Sequence, residues 1–180
     1  MRTASQKLTH EHKAILVALD VVERMCKHAQ MDKEVDADDI LNILDFFNVF
    51  VNDCHHHKEE HYLFPALEEV GVKKQDGLIG VILDEHQKER EFIRQMQESV
   101  KDSLLSKQAF VDAALGYAAL LRNHIAKEHS VLFQIGDIKF TESTQRRLLL
   151  EFESVEKNII GPGKKDEFVA SIKAYRKKYA

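Results

Sequence analysis

The sequence contains few of the residues that break helices or form disulfide frameworks. Among its 180 residues are only 2 prolines, 7 glycines and 2 cysteines, and there is no tryptophan. Because proline and glycine are the strongest helix breakers, their scarcity favours long, uninterrupted helices. Two cysteines are too few for the disulfide framework of a small secreted domain. We therefore expect an all-α protein without such a framework.

Long apolar runs are also lacking. No stretch approaches the length that crosses a bilayer, and the first residues, MRTASQKLTHEHK, contain no apolar core of a signal peptide. The formal net charge is −4, and a short run of Lys and Arg at 173–178 is interleaved with aromatic residues, which indicates a solvated helix face. We therefore expect a cytoplasmic protein that binds neither nucleic acid nor membranes.

Apolar residues recur at helical spacing along six segments. Asp36 is placed to cap the second helix, and Ser103 or Ser106 the fourth. Pro65 predicts a kink in the second helix, and Gly136 predicts the end of the fourth. The apolar lines run from Leu8 to Cys26, Ile40 to Val70, Ile79 to Val100, Phe110 to Val131, Leu148 to Ile159 and Phe168 to Tyr179.

Short links between the first four segments predict an up-down-up-down four-helix bundle. We assign residues 1–138 to this bundle. Residues 139–180 form a C-terminal helical extension of two amphipathic helices, which we expect to pack on the bundle or on a partner in a homodimer.

An internal repeat relates the two halves of the chain. HHHKEEHYLF at 55–64 aligns without a gap with HIAKEHSVLF at 124–133, and LTHEH at 8–12 aligns with ILDEH at 82–86. Each half therefore contains a Glu-His pair near the start of one helix and an HxxKE motif near the end of the next. In an antiparallel bundle, these helix starts and helix ends lie level with one another.

The register predicts one buried layer of polar side chains, because each of them falls on an apolar line. Four histidines and two carboxylates cannot be buried without compensation. A hydrogen-bonded polar network would satisfy them, but a metal also neutralises the carboxylates and uses the imidazole lone pairs, so we favour a metal. The predicted metal ligands are His12, His55, Glu59, His86, His124 and Glu128.

The other polar residues of these motifs are assigned by their helical position. His56 lies about 100° around an α-helix from His55, with Glu60 one turn beyond it. We expect both to support the site from outside, with His56 as the first additional ligand to test, and Cys54 to be a packed thiol. Five histidines are expected not to be ligands: His10 and His57 point away from the site, His61 and His129 lie at the rim or surface, and His28 lies at a helix end.

The ligand set predicts two metal ions that share two bridging glutamates, with two histidines on each ion. It is too large for one tetrahedral zinc and too rich in nitrogen for calcium or magnesium. Mixed imidazole and carboxylate ligands suit iron, with zinc or manganese as substitutes. Ferritin-like di-iron sites use Glu-x-x-His, whereas this chain contains His-x-x-x-Glu twice. We expect non-haem di-iron that reacts with O₂, peroxide or nitric oxide.

These motifs resemble the hemerythrin-like (HHE cation-binding) domain. The resemblance covers about Leu8–Ile135 and rests on the EH at 11–12, HHHKEEHYLFP at 55–65, EHxxxR at 85–90 and HxxKExxxLF at 124–133. It implies a four-helix bundle with a non-haem di-iron centre, in which the six predicted ligands match the family's ligand positions. The tail, with its Gly-Pro-Gly break, is similar to the extension of some stand-alone prokaryotic members.

The sequence departs from the oxygen-carrying hemerythrins at two positions. Those proteins have HxxxH on the third helix, where this chain has Arg90, and an aspartate five residues after the last histidine, where Glu128 stands four after it. One histidine ligand is therefore missing. We expect a buried Arg90 that pairs with Glu89 or Glu60, or that faces an open coordination position.

Three functions follow from this interpretation. The first is a di-iron protein that senses or reacts with O₂, nitric oxide or peroxide in stress or iron homeostasis, which fits the non-carrier branch of the family better than O₂ storage. The second is a redox or repair enzyme of the same site, although the sequence assigns no catalytic residue. The third is an interaction module whose polar core is structural or holds zinc.

Overall fold

Helices form almost all of the protein. The computed structural model describes residues 2–101 and 104–180, so the candidate cap Ser103 lies outside the described residues. The first and third helices are α1 (Ala4–Gln30) and α3 (Leu78–Glu98). Between α3 and α4, strands β1 (Val100–Lys101) and β2 (Leu104–Leu105) form a short antiparallel hairpin.

Three of the other four helices contain π-helical segments, and the last two of the four form the C-terminal extension. Helix α2 comprises α-helical Ala37–Asp45, π-helical Phe46–His56 and Glu59–Leu63, and α-helical Phe64–Glu69. Helix α4 comprises α-helical Lys107–Lys127, π-helical Glu128–Leu132 and α-helical Phe133–Lys139. Helix α5 comprises Glu142–Val155 and π-helical Glu156–Ile160, and α6 is Lys164–Lys178.

Side-chain caps begin several of these helices. The Thr3 hydroxyl accepts a hydrogen bond from the Gln6 N–H at the start of α1. Asp36 caps α2 as its sequence position predicts. Ser106 occupies the N-cap position of α4, but its side chain makes no capping hydrogen bond with the described residues.

Two residues expected to interrupt helices have other roles. Pro65 lies in the first turn of the α-helical segment that follows a π-helical one, where its missing N–H is tolerated, and the chain stays helical through it. Helix α4 does not end near Gly136 but continues to Lys139. A Cβ at Gly136 would lie 2.9 Å from the Phe140 ring, so this glycine permits close packing.

The polar layer separates two hydrophobic clusters. On α1, Leu8 belongs to the smaller cluster and Ile15 to the larger one, with His12 between them. On α3, Ile82 and Ile93 belong to the smaller and the larger cluster in the same way. The layer is therefore enclosed by apolar packing at both ends of the bundle.

The C-terminal helices pack on the bundle. Phe152 of α5 joins the smaller cluster, while Phe168 and Ile172 of α6 join the larger one. The Tyr179 hydroxyl donates a hydrogen bond to Asp39 Oδ2 at 2.7 Å, which ties the end of the chain to the start of α2. None of the described helices has the length and apolar character needed to span a membrane.

Candidate metal centre

All six residues predicted as metal ligands lie in one buried layer. Each is at most 1 % exposed, although all six are polar or charged. Helices α1 and α3 each supply one histidine, and α2 and α4 each supply one histidine and one glutamate. The six are His12, His55, Glu59, His86, His124 and Glu128.

The four histidines form two pairs whose Nε2 atoms converge. The Nε2 atoms of His12 and His55 are 2.8 Å apart, and those of His86 and His124 are 3.3 Å apart. Two nitrogens bound about 2.1 Å from one ion at a right angle would lie about 3 Å apart. Each pair is therefore spaced to bind one ion.

The two glutamates lie between the histidine pairs. Glu59 Oε1 is 3.2 Å from His55 Nε2, and Glu59 Oε2 is 3.5 Å from His86 Nε2. One carboxylate thus reaches a histidine of each pair. The carboxylate can therefore offer an oxygen to a cation held by either histidine pair.

Glu128 spans the same two pairs from α4. Its Oε2 is 3.3 Å from His12 Nε2 and 3.4 Å from His124 Nε2. Burial raises the pKa values of Glu59 and Glu128, but the surrounding imidazoles lower both below the ordinary value. The oxygens of both carboxylates lack a hydrogen-bond donor among the described residues, so a cation between the histidine pairs would compensate them.

Two groups of four residues, each with one atom that can bind a metal, lie around the space between the two histidine pairs. In each group, one ligand atom per residue lies within 4.8 Å of all the others, and Glu59 belongs to both. The first group is His12, His55, Glu59 and Glu128. The second group is His56, Glu59, His86 and His124.

His56 therefore lies inside the site, not outside it as its α-helical position suggested. Its side chain is 2 % exposed. Because the segment Phe46–His56 is π-helical, with more residues per turn than an α-helix, consecutive side chains are separated by a smaller angle. The matched neighbours His124 and Ile125 are both buried in an α-helical segment, so adjacent residues at this level of the bundle face its interior in both halves.

A buried charge pair supports His55 from outside. His55 Nδ1 donates to Glu11 Oε2 at 2.8 Å, and the buried Lys58 ammonium lies 2.5 Å from Glu11 Oε1. Burial raises the pKa of Glu11, but His55 and Lys58 lower it well below its usual range. The ionised Glu11 holds the His55 proton on Nδ1, so that Nε2 is free to bind a metal.

The second half of the chain repeats this arrangement. His124 Nδ1 lies 3.4 Å from Glu85 Oε2, and the Lys127 ammonium contacts the other Glu85 oxygen. The sequence repeat contains this information, since Glu11 and Glu85 precede the matched histidines and the two lysines occupy matched positions. Sequence reasoning had not assigned a role to these four residues.

The remaining two histidines also have outer partners, at matched positions of the repeat. His86 Nδ1 donates to Glu60 Oε1 at 2.7 Å, and His12 Nδ1 lies 2.8 Å from His129 Nε2. Glu60 therefore supports the site from outside, as the sequence suggested. His129 is half-buried and contacts a predicted ligand, a role that its position had not indicated.

Arg90 lies at the rim of the site. Its Nη2 donates to Glu60 Oε1 at 2.6 Å, and its Nε donates to Asn52 Oδ1 at 2.5 Å. The pairing with Glu60 is one of the predicted alternatives. The expectation of a buried arginine is wrong, because the side chain is 39 % exposed and the helix face carries it toward solvent.

The other histidines of the sequence lie outside both groups. His10 and His61 are exposed, while His28 and His57 are half-buried. Cys54 is a buried free thiol, and burial raises its pKa to about 11. These four histidines belong to neither group, and the burial of Cys54 agrees with the expected packed thiol.

A family model and the site agree on the class of protein. The model of the hemerythrin HHE cation binding domain matches residues 3–135, which include all four bundle helices up to Ile135 of α4. No curated protein and no solved structure matches the chain significantly. The buried His and Glu groups fit the cation binding that the family description states. The chain therefore belongs to the hemerythrin HHE cation binding domain family.

Proposed function

We propose that the protein binds non-haem di-iron and uses it to bind, sense or react with O₂, nitric oxide or peroxide, in a stress response or in iron homeostasis. One observation carries this proposal. Two buried carboxylates, Glu59 and Glu128, each lie between a histidine of one converging pair and a histidine of the other. This pattern fits two ions that share two carboxylates.

Iron suits the donors, with manganese or zinc as substitutes. Imidazole and carboxylate together are typical ligands of iron, manganese and zinc, and when bound here the iron would supply redox chemistry and binding of small ligands. The proposed ligands are His12, His55, Glu59, His86, His124 and Glu128. Glu11, Glu85 and Glu60 would fix the tautomers of the histidines that they contact.

Sensing or reaction fits this chain better than O₂ storage. Arg90 occupies the position where, by the sequence resemblance, oxygen carriers have an additional histidine. The Arg90 guanidinium is hydrogen-bonded to Glu60 and Asn52 at the rim, and it contributes no metal ligand. The site therefore differs from that of a carrier at the position where a carrier has its fifth histidine.

Metal analysis tests the proposal directly. We expect protein purified without oxygen from iron-replete cells to contain two irons per chain, one for each donor group. Its optical spectrum should change on addition of O₂, nitric oxide or peroxide. E59Q and E128Q change matched positions of the repeat and should both reduce the iron content. H57A changes a half-buried neighbour outside both groups and should leave it unchanged.

Other results would contradict this function. A chain that retains no transition metal would refute it. Zinc alone, with no spectral response, would support an interaction module with a structural metal. Turnover of peroxide or nitric oxide well above that of free iron would identify a redox or repair enzyme.

A further inference from the structure

We propose that His56 is a seventh metal ligand, supported by Glu89, and that it makes the two metal positions unequal. The proposal rests on the proposed function, because it assigns an additional residue to the same di-metal site. It is carried by two buried positions that are polar in one repeat-related half of the site and apolar in the other.

Among the differences between the two halves is one buried polar pair that is apolar in the other half. His56 of the first HxxKE segment aligns with Ile125 of the second. Glu89, three residues after the α3 histidine, aligns with Ile15, three residues after the α1 histidine. One half therefore has a histidine and a carboxylate where the other has two isoleucines.

This polar pair is buried without compensation by the described residues. His56 is 2 % exposed and Glu89 is 1 % exposed. Neither ring nitrogen of His56 and neither oxygen of Glu89 has a hydrogen-bond partner in the part of the chain that the structure describes. The two side chains approach each other at 3.4 Å, between His56 Nε2 and Glu89 Oε2. Because unpartnered buried polar groups are costly, a polar pair at this place indicates a bound cation.

The position of the His56 ring assigns it to one of the two ions. Its centroid lies 3.8 Å from that of His86, with the rings stacked at 17°. A ring nitrogen of His56 lies within 4.8 Å of the donor atoms of Glu59, His86 and His124. The ion on this side would therefore have three histidine ligands, whereas the ion beside His12 has two.

Unequal ligand number predicts unequal retention of the two ions. The ion held by three histidines should be the last one removed by a chelator. His56, which lies on α2, would be the third histidine ligand of this ion. Arg90 of α3 supplies no histidine on that side.

The double variant H56I/E89I tests this assignment, because it copies the isoleucine pair of the other half. We expect it to bind two irons that a chelator removes in a single phase, whereas the wild type should lose its two irons in sequence, the ion between His86 and His124 last, measured as iron content against time. Its metal-free form should be at least as resistant to urea as the wild type, because two unpartnered polar groups are removed together. H57I, changed at the next residue outside both groups, should keep the sequential release of the wild type.

Two single variants separate ligation from packing. H56Q keeps a polar side chain of similar size but removes the imidazole, and it should release the ion between His86 and His124 as readily as the ion beside His12. E89Q should weaken binding of the ion between His86 and His124 by about 10- to 100-fold, as for other residues that support a metal-binding histidine. Two irons bound with wild-type affinity in folded H56Q or H56I/E89I would overturn the assignment of His56. A wild-type chain without metal would instead refute the proposed function.

Discussion

Lys58 and Lys127 occupy matched positions of the repeat but differ in burial, and this difference predicts unequal effects of the same substitution. Lys58 is fully buried, and its ammonium lies 2.5 Å from Glu11 Oε1 and 3.5 Å from Glu156 Oε1. Lys127 pairs with Glu85, but its side chain is 38 % exposed. Methionine at either position keeps the aliphatic length and removes the charge.

The magnitude follows from the surroundings of each pair. K58M leaves Glu11 as a buried carboxylate with only His55 as a donor, and loss of one partner of a buried pair costs about 3–5 kcal/mol. K127M breaks a pair that solvent screens, and we expect a loss of about 1 kcal/mol or less. The two variants should therefore differ in free energy of unfolding by about 2–4 kcal/mol.

Urea unfolding of the metal-free proteins, followed by far-ultraviolet circular dichroism, measures this difference without a contribution from the metal. The slope of the unfolding free energy against urea should match the wild type, which shows that the denatured states are comparable. The double variant K58M/E11Q should regain much of the loss, because glutamine still accepts the His55 hydrogen bond but carries no charge. Equal, small losses in K58M and K127M would refute the reasoning from burial.

Three further predictions concern packing, pH and metal. G116A should lower stability by about 1–3 kcal/mol in thermal melts, because a Cβ there would lie 2.6 Å from the Phe92 ring. Burial raises the pKa of Glu156, but Lys7 and Lys165 contribute to a net lowering from 4.5. Its ionised form therefore stabilises the folded state above about pH 4.5. E156Q should be less stable than the wild type at pH 7 and approach it as the pH falls below that value in acid titrations. Chelation should lower the melting temperature, since an ion at 100 times its Kd contributes about 2.7 kcal/mol.

The bundle and the buried polar layer could be predicted because they depend on periodicity and repetition. Spacing of apolar residues identified the helices, and the short links required antiparallel neighbours. The repeat then placed the ends of α2 and α4 level with the starts of α1 and α3. Burial of the six predicted ligands at 1 % exposure or less agrees with that register.

The inward position of His56 was not predicted, because side-chain spacing does not show how wide an arc of each helix the bundle encloses: the matched Ile125 of an α-helical segment is buried beside His124 as well. Around the two HxxKE motifs the chain changes from α-helical to π-helical hydrogen bonds. The Phe64 N–H donates to the Glu59 carbonyl, and the Phe133 N–H donates to the Glu128 carbonyl, each five residues earlier. An angle of about 100° per residue, correct for an α-helix, therefore misplaces side chains in these segments.

The C-terminal helices explain why two repeat-related halves have different surroundings. The π-helical end of α5 carries Glu156 over α1 and α2, where it contacts Lys7 of α1 at 2.9 Å and Lys58 of α2 at 3.5 Å. A continuous chain of contacts thus runs from His55 through Glu11 and Lys58 to Glu156. In the other half, the corresponding pair is Lys127 and Glu85, and the Lys127 side chain is 38 % exposed to solvent. Because this series of buried contacts ends on α5, displacement of the C-terminal extension would expose Lys58 and weaken its ion pair with Glu11. Packing of the extension therefore supports the pair of Glu11 and Lys58 in the first half of the site.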